Sequence, residues 1–215
     1  MNQKSSMFDC AESDRSKWFG RLELNHNFYR EGGPIIDRFM DEYRWLSNFH
    51  FTKVPDKSTE HFFQAAKARK DEEGKEWRHR ILNAATPSEA KKLGGKVPLR
   101  DDWNGIKYYV MSVALAYKFM GSYELYKKLV DTKDSYLIEG TVWHDNIWGI
   151  CIKKDCEKCK DIKGKNMLGN TLMDLRQILQ ESIYDVAKGN EKKERELLAI
   201  GLDETNKEVT NRGIL

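Results

Sequence analysis

WNGIKYYVMSVALAYKFM, residues 103–120, is the longest apolar segment of the chain, and its periodicity decides the fold class. Trp103, Ile106, Val110, Val113 and Tyr117 recur at spacings of three and four, which lines them along one helix face. Asp101-Asp102 precede the segment. Gly121-Ser122 end it and cap a further helix over Tyr123–Val130.

Helix signals continue on both sides. Ser58 and Thr59 are cap candidates for TEHFFQAAKARK, rich in Ala and straight-chain helix formers. Asp71–Asn83 is a second candidate, with Trp77 and Ile81 four apart. Thr86-Pro87-Ser88-Glu89 is a capping box with Pro at the first helical position, and Gly94 stops that helix after Leu93. A last helix starts near Gly164-Lys165-Asn166 and carries Leu168, Leu172, Leu175 and Leu179 on one stripe. Strand signals are short, at Tyr136–Glu139 and Trp148–Ile152. The expected fold is mainly α-helical with a minor β part, not an alternating α/β sheet. One compact domain over residues 35–185 is expected. An N-terminal extension over 1–34 precedes it, and a charged tail over 186–215 follows, with one short helix at Glu191–Ile200.

Composition narrows the function classes. Only 15 Gly and 4 Pro among 215 residues exclude collagen-like and low-complexity chains, while six Trp, nine Tyr and nine Phe supply a core. No window approaches the roughly 18 apolar residues of a spanning helix, so no membrane role is expected. Met1–Cys10 lacks a basic-then-apolar signal, which points to the cytoplasm. Thirty-seven basic and 34 acidic residues leave a net charge of +3, too little to coat nucleic acid.

Several stretches could carry chemistry. Glu60, Gln64 and Lys67 stand at i, i+4 and i+7 and would share one helix face, which by spacing alone is a solvated face. Gly164-Lys165-Asn166 opens a helix, where free amides and the dipole attract phosphate. Residues 139–149, EGTVWHDNIWG, pack two acids, His144, Trp143 and Trp148 into one loop. Ser47, Asn48 and Phe49 form a turn candidate. Cys151, Cys156 and Cys159 make C-x4-C-x2-C, three thiolates for zinc, with His144 or Cys10 to complete four. No second ligand pair follows, so free thiols on a lysine-rich loop are the simpler expectation and no metal ligand is assigned.

Taken together, these stretches resemble the NADAR superfamily, also called the YbiA-like or RibX family. The matching blocks run in order: Trp45-Leu46-Ser47-Asn48-Phe49; Glu60 to Ala68; Ala84 to Gly94; Trp103; Met111 to Phe119; Leu137-Ile138-Glu139; Asp145 to Gly149; and Gly164 to Gly169 running into Leu172–Arg176. The resemblance implies a mainly helical fold, no cofactor, and hydrolysis of N-glycosidic bonds at ribose C1. Its known substrates are ADP-ribose on the exocyclic amine of guanine in DNA or RNA, in members paired with DarT-type toxins or standing alone, and phosphorylated riboflavin-pathway intermediates. It makes Glu60, Lys67 and Asp145 the catalytic candidates. Glu60 and Asp145 would divide acid and base work, and Lys67 would hold phosphate, stabilise the ring oxygen or attack C1. Lys118 and Gly164, Lys165 and Asn166 suit the phosphates, and Trp103 and Trp148 offer flat faces to the base. Ser47, Asn48, Phe49, Gln64 and Gly149 complete the expected binding set. A non-catalytic module binding NAD or ADP-ribose would use the same pocket.

Overall fold

A computed structural model describes residues 21–52 and 57–214. Residues 1–20 of the expected extension, Cys10 included, lie outside the described residues. The elements are β1 (Ile35–Ile36), a 3-10 turn (Asp41–Leu46), α1 (Thr59–Ala65), α2 (Glu72–Leu82), α3 (Pro87–Gly94), α4 (Trp103–Met120), α5 (Tyr123–Val130), β2 (Tyr136–Leu137), β3 (Gly140–Thr141), β4 (Ile150–Cys151) and α6 (Met167–Leu179). A π-helical turn (Gln180–Tyr184), the one-turn α7 (Asp185–Ala187) and α8 (Glu191–Arg212) complete the chain. This is the expected mainly helical fold with little β structure.

The 103–120 segment forms α4, and it packs against α1, α5, α6 and α8. Val110, Met111, Leu115 and Phe119 bury completely or nearly so, in one core with Tyr126 and Leu129 of α5, Leu137 of β2 and the Ile138 that follows it, and Leu168 and Leu172 of α6. The cap signals hold. Ser122 accepts from Leu125, Asp71 accepts from Gly74, and Thr86 accepts from Glu89 while Glu89 accepts from Ala85 in return. At α1 the Ser58 hydroxyl caps His61, whose Nε2 meets the Ala84 carbonyl at 3.1 Å and whose Nδ1 meets Ser58 Oγ at 2.7 Å. A carbonyl only accepts, so Nε2 carries the proton and Nδ1 takes the hydroxyl's.

Three elements differ from expectation. First, α1 stops at Ala65, because the Lys67 carbonyl accepts from Arg100 at 2.9 Å and the Arg69 amide donates to Pro98 at 3.0 Å. Lys67 therefore sits on a turn beyond the helix rather than at its i+7 position. Second, the tail helix runs to Arg212, not Ile200, with surface pairs such as Arg195–Glu191 and Lys207–Asp203. Leu198 and Val209 are buried against the body, and Arg100 clamps the Ile214 carbonyl at 3.3 Å. A helix with so few apolar residues persists because docking stabilises it. Third, residues 21–34 lie on the body: Leu22 is buried and pairs with Gly164, and Tyr29 meets Tyr136 edge-on at 5.6 Å.

The β part consists of two parallel pairs, β1 with β2 (Ile35 beside Tyr136) and β3 with β4 (Gly140 beside Ile150). Asn166 joins them to α6. Its side chain is fully buried, donates from Nδ2 to the Leu137 carbonyl at 2.8 Å and accepts the Glu139 amide on Oδ1 at 3.0 Å. Its backbone takes a left-handed φ of 50°, which Asn tolerates better than most residues. The amides of Lys165, Asn166, Met167 and Leu168 donate to the carbonyls of Asn146, Gly149, Ile147 and Trp148. Asn166→Ala would leave two buried backbone groups unpaired, at roughly 1–3 kcal/mol each. Urea unfolding of that variant is expected to show a loss of about 2–5 kcal/mol; a change under about 1 kcal/mol would mean that the junction does not hold the fold.

Candidate active site

Glu60 enters in the first turn of α1 and is 2% exposed. Asn48 Nδ2 donates to its Oε2 at 2.5 Å, and Gln64 Nε2 to its Oε1 at 2.7 Å. Burial pushes its carboxyl above the ordinary carboxylate range, the Gln64 bond and the charges of Lys91 and Lys67 pull it back, and Asp145 pushes it up. Gln64 lies where α3 crosses α1. A β-carbon on Gly94 would collide with its side chain, so the glycine read as a helix stop also makes room for the Glu60 clamp.

Lys67 is half-buried. Its Nζ stands 5.5 Å from the Phe63 ring centre and 5.8 Å from that of Trp103. No hydrogen bond or ion pair holds it among the described residues. Burial lowers its pKa, the Glu60 charge opposes that, and Lys91 reinforces it. An amine so placed is closer to its nucleophilic form than a surface lysine.

The structure draws in an acid of the 139–149 stretch that the sequence reading left without a role. Glu139 lies between β2 and β3, half-buried overall, and its Oε2 is buried with no hydrogen-bond partner. Burial pushes its carboxyl up to about 8, Asp145 adds to this, and Lys118 and Lys91 oppose it. Lys118 faces it from α4, pushed down to about 7 by burial. Both shifts favour the uncharged forms, as a low-dielectric site requires when no close ion pair forms. The missed signal was Glu139 itself, a carboxylate that directly follows three buried residues, Tyr136 to Ile138. Lys91, exposed on α3 and 5.5 Å above the Phe49 ring, was missed for lack of any motif of its own.

The remaining expected residues fall into two sets. Ser47, Asn48, Phe49, Gln64, Trp103, Asp145, Trp148 and Gly149 gather around Glu60, Glu139 and Lys67. Asp145 is half-buried, and its Oδ1 accepts the Ile147 and Trp148 amides, both at 2.9 Å, so part of the expected second acid holds a turn. Phe63 touches Trp103 at 5.0 Å and Trp148 at 5.2 Å, and Trp148 continues to Tyr108 at 5.5 Å. Gly149 is the glycine that lets β4 lie against the Glu139 backbone. Lys118 is 2% exposed and donates to the Ser47 carbonyl at 2.8 Å, so it stands behind the site and is not open to phosphate.

The second set sits at the helix mouth, where the loop's own carbonyls fill the expected phosphate cradle. Gly164 pairs with Arg21 and Glu23, and Asn166 is consumed by the β junction. Lys165 is exposed and lines a cavity of about 400 Å³ with Tyr108, Asn170 and Asn25. Tyr108 separates that cavity from Trp148.

Carboxyls raised by burial, an amine without a hydrogen bond or ion pair among the described residues, and a wall of aromatic rings suit displacement at a carbon that gains positive charge. The family model of the NADAR domain matches residues 28–180. The chain is similar to "N-glycosidase YbiA" of Escherichia coli (strain K12), 35% identical over 146 residues, which cover 65% of this chain and 83% of that protein. It also resembles an N-glycosidase of Nostoc punctiforme, 35% identical over 99 residues, which cover 45% of this chain and 58% of that one. The NMR structure of E. coli YbiA superposes with a TM-score of 0.55 at 36% identity, covering 68% of this chain and 84% of that one. By this match over most of its length, the chain belongs to the NADAR family.

Proposed function

We propose that this NADAR-family N-glycosidase hydrolyses the bond between ribose C1 and a base nitrogen, and that its substrate is ADP-ribose attached to the exocyclic amine of guanine in nucleic acid. The observation that carries this is Lys67, an amine with no hydrogen bond or ion pair among the described residues, set between the clamped Glu60 carboxyl and the Phe63–Trp103 rings. Lys67 attacks C1 with its lone pair while the C1–N bond to the base breaks, and Glu139 supplies a proton to the departing nitrogen. The attached nitrogen then returns a proton to the Glu139 carboxylate, its freed lone pair forms the second bond of a protonated imine as the bond from C1 to the ring oxygen breaks, and that oxygen takes the proton from Glu139. One water hydrolyses the imine, which returns the free amine and leaves ribose with its C1 carbonyl. Glu60, fixed on both oxygens, stabilises the positive charge at C1 without moving.

The half-buried Trp148 offers a face to guanine, and the exposed Lys91 and Lys165 lie where phosphates could reach them. The balance of 37 basic and 34 acidic residues supports recognition of one modified nucleotide rather than a long nucleic-acid surface. A DarT-type toxin would then be the source of the modification. Phosphorylated ribosylamino-pyrimidines of the riboflavin pathway are the second substrate class, favoured by the same small group of cations, which suits a single phosphate.

Purified protein is to be incubated with guanine-ADP-ribosylated DNA and, separately, with the phosphorylated ribosylamino-pyrimidine, and the products read by mass spectrometry. Release of ADP-ribose from the DNA is the expected result. Ribose 5-phosphate from the pyrimidine alone would move the enzyme to metabolite clearance, and silence on both would leave a module that binds NAD or ADP-ribose. Glu60→Gln is expected to lose roughly 10²–10⁴-fold in turnover and keep its affinity. A mutant that still restrained a partner toxin would indicate action by contact.

Borohydride added during turnover is expected to reduce the imine and leave a ribose-derived mass on the peptide that contains Lys67. No adduct on that peptide, with turnover intact, would assign Lys67 an electrostatic role instead.

The rate kcat/KM is expected to fall as pH rises through about 8, where Glu139 loses its proton. Its folded pKa is raised, so its contribution to stability is full below the ordinary carboxylate range and is lost as pH rises through about 8. Lys118, depressed to about 7, runs the other way, gaining as pH rises from there toward the ordinary lysine value. The difference in unfolding free energy between wild type and Glu139→Gln isolates the carboxyl; a difference independent of pH would remove Glu139 as the acid.

A further inference from the structure

Behind the 139–149 loop, away from the rings that face Lys67, the three cysteines of the C-x4-C-x2-C stretch come together. Cys151, Cys156 and Cys159 are buried, on the end of β4 and on the turns that follow it. Expected as thiols on a lysine-rich loop, they instead form a small cluster of their own. His144 closes over it from the solvent side. Its Nδ1 lies 3.2 Å from Cys156 Sγ, 3.4 Å from Cys159 Sγ and 3.9 Å from Cys151 Sγ, and all four donor atoms lie within 4.8 Å of one another.

Hydrogen bonding does not explain this convergence. A single ring nitrogen donates one hydrogen or accepts on one lone pair, and three sulfurs surround it. A disulfide would use two thiols and leave the third and the imidazole without a purpose, and all three are free. A tetrahedral ion bound by three thiolates and one imidazole places its donors about 3.5–3.8 Å apart, close to the observed separations.

The surroundings fit a metal as well. Asn146 Nδ2 donates to Cys159 Sγ at 3.2 Å, and its Oδ1 accepts the Cys151 amide at 3.0 Å. Arg21 reaches in from the N-terminal segment and donates to the carbonyls of Cys159 and Cys151, both at 2.8 Å. Amide donation to a ligating sulfur and a cation near a thiolate-rich centre are the outer contacts such a site uses. His144 holds a left-handed φ of 68°, an uncommon conformation for His that turns its ring toward the sulfurs.

We infer that Cys151, Cys156, Cys159 and His144 form a closed structural zinc site. Three thiolates and an imidazole in tetrahedral arrangement select zinc over harder ions. With four protein donors no position stays open, so the ion does no chemistry on the substrate. Its role is to pin the loop that carries Asp145, adjacent to His144, and the β3–β4 pair that begins one residue after Glu139. This inference stands apart from the choice of substrate, because its readouts are metal content and spectra.

The full chain, purified under reducing conditions without added metal, is expected to carry about one zinc by elemental mass spectrometry. Cobalt added to the stripped protein is expected to give the intense visible bands of a tetrahedral thiolate complex. His144→Cys, which keeps four donors, should retain the ion. His144→Ala, at an exposed position that leaves the core intact, should weaken zinc binding by more than the roughly 10–100-fold typical of losing an outer-shell partner. Purified wild type without metal, together with cobalt spectra no stronger than the free ion's, would overturn the inference whether or not the variants fold.

Discussion

The buried side chain of Asn166 is the joint on which the site depends. One amide group bonds the chain on both sides of Ile138, at Leu137 and at Glu139, and so fixes the strand end from which Glu139 projects. The first amides of α6 meanwhile hold four carbonyls of the 146–149 loop. Helix starts usually satisfy their amides with a capping side chain, water or a ligand. Here a loop of the same chain does so, and the helix start holds the 146–149 loop instead of an anion. That single substitution of partner explains why a Gly-Lys-Asn helix start, the usual place to look for phosphate, is structural in this protein.

The electrostatics of the cluster follow from burial without close pairing. Glu60 keeps its place through two neutral amide donors, Asn48 and Gln64, not through a lysine. Those amide bonds favour the charged form, while burial pushes the carboxyl above the ordinary carboxylate range. Burial drives Glu139 and Lys118 toward their uncharged forms as well. The two carboxyls are thus shifted in the same direction and differ in their partners, with an amide donor on each Glu60 oxygen and none on Glu139 Oε2. Gln64 Oε1 and Glu139 Oε2, both buried without a donor, are groups that a bound substrate hydroxyl or amine could satisfy.

Much of the frame was legible from local signals. The 103–120 helix, the caps at Ser58, Asp71, Thr86 and Ser122, and the Leu stripe of α6 all read directly from spacing, because each depends on residues three or four apart. What spacing could not show depended on distant partners. The strand-like pairing of Ala68 with Leu99 ended α1 early and moved Lys67 off its face. The docking of α8 on α4 extended a charged tail by three turns beyond its readable part. Glu139 looked like a strand end, and only the fold sets it beside Lys118 and Asp145. Of the binding set, Asn48 and Gln64 proved to be holders of Glu60, a role that neither motif nor composition states.

The 139–149 loop is a special mechanical case within this frame. Trp143 is 54% exposed and Ile147 is 48% exposed, so among the loop's large apolar side chains the anchoring burial falls to Trp148. The strands on either side are two residues long, too short to hold a register by themselves. Position must then come from directional contacts, and these lie at the two ends. Asn166 holds Glu139 at one end, and the cluster of three cysteines with His144 holds the other. Asp145, between them, spends one oxygen on the turn that links the ends. A loop fixed by a few strong bonds can place two carboxyls accurately while its outer surface stays free to meet a base or a nucleic acid, which a loop buried for stability could not do.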